Sequence, residues 1–133
     1  MSAFKDHFFQ TQDGLRLYAR DYPGPDDNAP VVLCLHGLTR NSRDSQELAP
    51  ALADHFRVLV PEQRGRGRSD YDDDLSRYAL LQYVEDMRGL LSDLGIKQVA
   101  IVGTSMGGLM TFALNALYPV SYTHLTLPTK DGV

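Results

Sequence analysis

The pattern of apolar and polar positions divides the chain into a repeating order of strands and helices. Residues 8–11 and 15–21 alternate in polarity around Gln12-Asp13-Gly14. Asp-Gly between two alternating segments predicts a hairpin. Residues 22–28, Tyr-Pro-Gly-Pro-Asp-Asp-Asn, are a loop by composition. Residues 31–35, Val-Val-Leu-Cys-Leu, are apolar throughout, the pattern of a strand covered on both faces. Residues 44–55 predict a helix, with Asp44 and Glu47 spaced as a capping box. Residues 56–60 predict another covered strand, closed by Pro61. Leu80, Val84, Met87, Leu91 and Leu94 recur at steps of four and three, so residues 79–94 predict an amphipathic helix with Gly95 as its stop. Residues 98–102 form a last apolar strand, and residues 106–117 a helix that is apolar on nearly every side.

Two antiparallel strands followed by alternating strands and helices predict an α/β fold, a mostly parallel sheet with helices on both faces. Composition agrees with a globular chain: of 133 residues, 43% are hydrophobic and 23% charged. No apolar run approaches the ~20 residues that span a bilayer, so no membrane partner is expected. A net charge of -4 gives no reason to expect nucleic acid. Arg64, Arg66 and Arg68 alternate with glycine, but a single copy beside Asp70, Asp72, Asp73 and Asp74 reads as a loop. The lone Cys34 excludes an intrachain disulfide and reads as a small core residue. The first residues show no secretory pattern, which makes the cytoplasm the expected compartment. No histidine or carboxylate pair has metal-ligand spacing, and no cofactor is expected. Nothing in the sequence sets the oligomeric state.

The chemistry concentrates at Gly103-Thr104-Ser105-Met106-Gly107. A Gly-x-Ser-x-Gly box between a strand and a helix is a nucleophile elbow, in which a tight turn projects the serine hydroxyl into a cleft. Side chains at positions 103 and 107 would obstruct that turn. A serine that merely caps the following helix is the plain alternative, and the flanking glycines favour the elbow. A phosphate-binding turn is a further alternative, but Gly103, Gly107 and Gly108 lack the Gly-x-Gly-x-x-Gly spacing.

His36-Gly37 after residues 31–35, Gln63-Arg64-Gly65-Arg66-Gly67-Arg68-Ser69 after the next strand, and the Ser105 box come in the order and register of the α/β-hydrolases. Over residues 6–119 the chain resembles the esterase-like branch of that superfamily. The resemblance implies that Ser105 is the nucleophile and that the backbone N–H groups of Met106 and Leu38 form an oxyanion hole. It implies that His36, Gly37, Gly103 and Gly107 shape the elbow and oxyanion loop, with His36 not the base. His7 and His55 read as surface residues, and Arg64 and Arg68 as structural residues pairing with local carboxylates. The family often has aspartate where this chain has Glu62 or Gln63, a departure read as structural. A serine nucleophile points away from the branches that use aspartate, such as haloalkane dehalogenases and epoxide hydrolases. The implied substrate is a small carboxylic ester or related acyl compound, with a non-catalytic binder on a hydrolase scaffold as the alternative.

The triad order in this family is Ser, then Asp or Glu, then His. After Ser105 the chain offers His124 and Asp131, in the opposite order. Residues 120–129, Val-Ser-Tyr-Thr-His-Leu-Thr-Leu-Pro-Thr, are the translation of GTC TCT TAT ACA CAT CTG ACG CTG CCG ACG, which resembles a transposon-end sequencing adapter. The expectation is therefore that residues 1–119 are the N-terminal portion of one hydrolase domain and residues 120–133 an adapter-derived tail, the plain alternative for the tail being a genuine edge strand. The triad acid and base, and the last strands, would lie outside the chain. The strand at 98–102 would be an exposed edge, leaving the fragment poorly soluble and without efficient esterase activity.

Overall fold

A computed structural model describes residues 4–35, 48–104, 106–117 and 122–127. Strands β1 (Lys5–Gln10), β2 (Arg16–Tyr22), β3 (Val31–Leu35), β4 (Arg57–Glu62), β5 (Val99–Thr104) and β6 (Tyr122–Leu127) form one sheet in the order β1-β2-β4-β3-β5-β6. β3 runs parallel to β4 and β5, and β6 parallel to β5, whereas β2 is antiparallel to β1 and β4. Helices α1 (Leu48–Leu52), α2 (Leu80–Asp93) and α3 (Met106–Leu117) cover it.

Alternation along the strands builds two cores. Leu33, Leu35 and Leu59 face α2 and α3, where they join Val84, Met87, Leu90, Met110 and Leu114. Val32, Cys34, Val58 and Val60 face the other way, toward Ala49 and Ala53 at α1. Helices therefore lie on both faces, and the expectation of a strand covered on both sides holds for β3. Burial pushes the Cys34 thiol up to about 12, so it is an inert core group.

The differences from expectation have local causes. β4 continues through Pro61 to Glu62. Its pairing with β3 runs only from Arg57 to Leu59, so Pro61 sits where β4 has one strand neighbour, β2, and the missing N–H disrupts no second ladder. α1 ends at Leu52 rather than at 55, because the Leu52 carbonyl accepts the N–H groups of both His55 and Phe56 and turns the chain into β4. The predicted capping box, Asp44 and Glu47, lies outside the described residues. β5 is not an edge: β6 lies beside it along its whole length, from Val99 opposite Tyr122 to Thr104 opposite Leu127. Thr, Tyr and Leu suit a strand, and α3 supplies the crossover that parallel pairing needs. α3 nonetheless leaves Leu109 and Leu117 more than half exposed, at 58% and 52%.

The loop after β4 is tied down by a buried cation. Arg64 is fully buried, and its guanidinium donates to both oxygens of Asp86 (2.6 and 2.8 Å), to Asp72 (2.7 Å) and to Asp13 (2.9 Å). Asp13 belongs to the β1–β2 turn, Asp72 to the loop and Asp86 to α2, so one side chain joins three segments. Only Asp72 is local; the expectation of purely local partners was too narrow because charge neutralisation here crosses the fold. Arg68 likewise reaches Asp6 on β1 at 3.0 Å. Burial works against the Arg64 charge, but the bonds from Asp86 and Asp13 outweigh it and hold the guanidinium above its ordinary value. The Arg64 bond, aided by the Thr11 hydroxyl, lowers the Asp13 carboxyl to about 2.

Removing a cation from a buried cluster strands its carboxylates, at a cost of about 3–5 kcal/mol. Arg64→Met is expected to lose stability on that scale, read as a lower denaturant midpoint at unchanged m-value. Asp13 titrates lower in the folded chain than its ordinary 3.8, so its contribution is present above pH ~4 and fades as pH falls toward ~2. Acid unfolding of Asp13→Asn is therefore expected to be less steep than that of the parent between those values, as followed by circular dichroism.

Candidate functional site

In an open α/β sheet, ligands bind beyond the carboxyl ends of the parallel strands. Leu35, the last residue of β3, lies directly opposite Gly103 in β5. The carboxyl ends of β3 and β5 therefore lie side by side. β5 ends at Thr104 and α3 begins at Met106. A single residue, Ser105, separates strand from helix, which is the connection an elbow requires.

Gly107 shows how tightly this corner is built. A Cβ placed there would lie 2.2 Å from the Leu35 carbonyl oxygen and 2.6 Å from its carbonyl carbon. The first turn of α3 is thus pressed onto the end of β3, and only glycine allows it. Gly103 is buried beside Leu35. The N–H groups of the first helical turn, with the positive end of the helix dipole, lie at the carboxyl end of β5. Such an environment favours negative charge.

Of the residues singled out from sequence, Gly103, Gly107 and the backbone of Met106 are described, and all three lie at this corner. Ser105, His36, Gly37 and Leu38, and the side chain of Met106, lie outside the described residues. His7 lies on β1 and pairs with Asp93 at 2.8 Å, and His55 is exposed at the end of the α1 turn; neither belongs to the corner. Among the described residues no cluster of His, Cys, Asp or Glu could hold a metal ion. No helix among them is long and apolar enough to cross a membrane.

The rim beside the corner is held by the loop after β4. Glu62, at the end of β4, accepts the Arg68 N–H at 2.9 Å and, through its carbonyl, the Ser69 hydroxyl at 2.5 Å. Ser69 in turn accepts the Tyr18 N–H at 2.9 Å. Glu62 is thus a loop-closing group. The sequence reading missed the outer wall of this loop, where Tyr71, Leu75, Tyr78 and Tyr83 line a shallow depression of about 710 Å³. Tyr71 and Leu75 are 77% and 79% exposed. A loop composition rich in Asp concealed it, because Tyr and Leu in such a segment carry no periodic signal.

Comparison with known proteins fits this geometry. The family described as the alpha/beta hydrolase fold matches residues 30–127. A 3-hydroxybutyrate-oligomer hydrolase from Cupriavidus necator is 42% identical over 104 residues, covering 78% of this chain and 36% of that protein. Epoxide hydrolase B of Mycobacterium tuberculosis is 32% identical over 107 residues, or 80% of this chain and 30% of its own length. Among solved structures, an alpha/beta hydrolase from Novosphingobium aromaticivorans superposes with a TM-score of 0.90 at 45% identity, over 97% of this chain and 45% of that one. The chain thus spans about a third of the length of these curated relatives.

Adding a methyl group at the packed corner has a defined expected cost. Gly107→Ala should destabilise the fold by about 1–3 kcal/mol, as overpacking does, because the obstacle is the Leu35 backbone. Gly89→Ala, where a Cβ meets nothing within 4 Å, should leave the thermal midpoint equal or higher. Parallel melts of the two variants check the pair.

Proposed function

The chain belongs to the alpha/beta hydrolase fold family, and on that premise we propose that it is the N-terminal portion of a serine hydrolase acting on small carboxylic esters or related acyl substrates. The observation that carries this reading is the junction of β5 and α3 around Ser105, with Gly107 seated on Leu35. Support for an ester or oligoester substrate comes from the 3-hydroxybutyrate-oligomer hydrolase relative. The serine at position 105 favours acyl transfer over the epoxide chemistry named in the other relative.

In this reading the Ser105 Oγ attacks the ester carbonyl while a histidine base takes its proton. The Met106 and Leu38 N–H groups donate to the carbonyl oxygen as it becomes negative. The ester C–O bond breaks, the alcohol leaves with the proton held by the histidine, and an acyl group remains on Ser105. Water then attacks the acyl carbonyl, releasing the acid and restoring the serine. The histidine and its orienting carboxylate would come from sequence beyond residue 119, in the part that the relatives carry and residues 120–133 do not supply. The mechanism uses no metal or cofactor. A lone buried cysteine suits the cytoplasm.

The natural gene, read past the codon for Tyr118 and expressed in full, provides the test. We expect an open frame carrying a later Asp or Glu and then His, and a product that a fluorophosphonate probe labels. Ser105→Ala should abolish labelling and lower aryl-ester turnover by roughly a million-fold, as loss of a serine nucleophile does. The 133-residue chain alone should turn over aryl esters at background. A full-length product that resists the probe would instead be a binder, and a gene that itself encodes residues 120–133 and stops would end the fragment reading.

A further inference from the structure

The outer face of the β1–β2 hairpin carries a pattern unrelated to the elbow. Phe4, Asp6 and Phe8 alternate along one side of the β1 segment, with Arg16, Tyr18 and Arg20 beside them on β2. Arg16 stands opposite Gln10, yet its guanidinium lies 3.8 Å above the Phe8 ring. Arg20 stands opposite Asp6, yet lies 4.3 Å above the Phe4 ring. Both side chains have therefore crossed from β2 onto β1, and the aromatic rings hold them there. Behind them, Arg68 lies 4.8 Å above the Tyr18 ring. The acid of β1 on this face, Asp6, is engaged by the Tyr18 hydroxyl at 2.6 Å and by Arg68 at 3.0 Å, and the Asp70 carboxylate accepts the Arg16 N–H at 2.9 Å.

Among the described residues β1 is the terminal strand of the sheet. An edge strand presents unpaired N–H and C=O groups to a further strand, and here two guanidiniums lie over the aromatic rings of that strand's segment. Phe4 and Phe8 are four positions apart, about 13 Å along an extended chain. The geometry points to β1 as a docking edge for an extended acidic segment of a protein partner, added as a seventh strand with carboxylates four residues apart that meet Arg16 and Arg20. Planar guanidinium forks match carboxylates. The free backbone edge selects a polypeptide, because neither a lipid surface nor a nucleic acid offers a matching ladder of N–H and C=O groups. A second copy of this chain does not fit the requirement, since its own β1 supplies Lys5 and a single, already engaged acid.

The test uses the intact chain and a fluorescein-labelled peptide of alternating Thr and Val with two Glu four positions apart. Saturable binding by anisotropy is expected, with protection of the amides of residues 5–10 from hydrogen exchange. The same peptide with Lys in place of Glu should bind at least about tenfold more weakly. The double variant Arg16→Glu/Arg20→Glu should weaken the Glu peptide by at least about tenfold while it gains for the Lys peptide. The charge-neutral pair Arg16→Gln/Arg20→Gln repeats the measurement if the reversed pair does not melt cooperatively. Equal binding of the Glu and Lys peptides, binding without protection of β1, or protection of β1 by phosphatidylserine vesicles but not by the Glu peptide would each overturn the inference. So would a dimer that protects the same amides without peptide.

Discussion

The buried charge of Arg64 is the constraint around which the upper rim of this fold is organised. A guanidinium withdrawn from water is tolerable only when nearly every donor is met, and Asp13, Asp72 and Asp86 meet it from three directions. Hydrophobic burial holds α2 against the sheet, but it is non-directional and would allow the loop after β4 several positions. The paired bonds to Asp86 and to Asp13 and the single bond to Asp72 are directional and select one. Arg77 reinforces them, lying 3.0 Å from Asp72 and 3.3 Å from Asp13. The loop so fixed carries Ser69 back to β2 and gathers Tyr71, Leu75 and Tyr78 around one shallow depression.

Much of this architecture was legible in the order of residues, and the reason is periodicity. Residues 31–35 alternate between two cores, so an unbroken apolar run was the correct signature. The amphipathic spacing from Leu80 to Leu94 produced α2 nearly to the residue, because Val84, Met87 and Leu91 all face the sheet. Gly107 was legible for a different reason: a glycine there records a steric demand, and the Leu35 carbonyl is the object that makes it.

What escaped was whatever depends on distant partners. Nothing near Arg64 in sequence identifies Asp13 or Asp86 as its counterions. Pro61 looked like a terminator because a proline usually ends a ladder, and only the short β3–β4 register shows why it is tolerated. Residues 122–127 pair with β5 as the plain alternative for that segment, a genuine edge strand, has it, because Thr, Tyr and Leu suit a strand wherever the segment originates. The rows of arginines over phenylalanines need strand register to be seen at all, since Arg16 stacks on a residue that is not its direct partner.

The contact between Leu35 and the start of α3 also has a kinetic side. β3 and β5 are neighbours in the sheet, yet β4 and α2 intervene in the chain. Closing so long a loop is entropically costly, and such contacts slow folding. The corner that would hold the nucleophile thus cannot exist until nearly all of the preceding chain has been synthesised and packed. During that interval the apolar strand Val99–Thr104 is without its β3 partner. The same close approach that shapes the cleft therefore sets the period during which the nascent chain most needs protection from its neighbours.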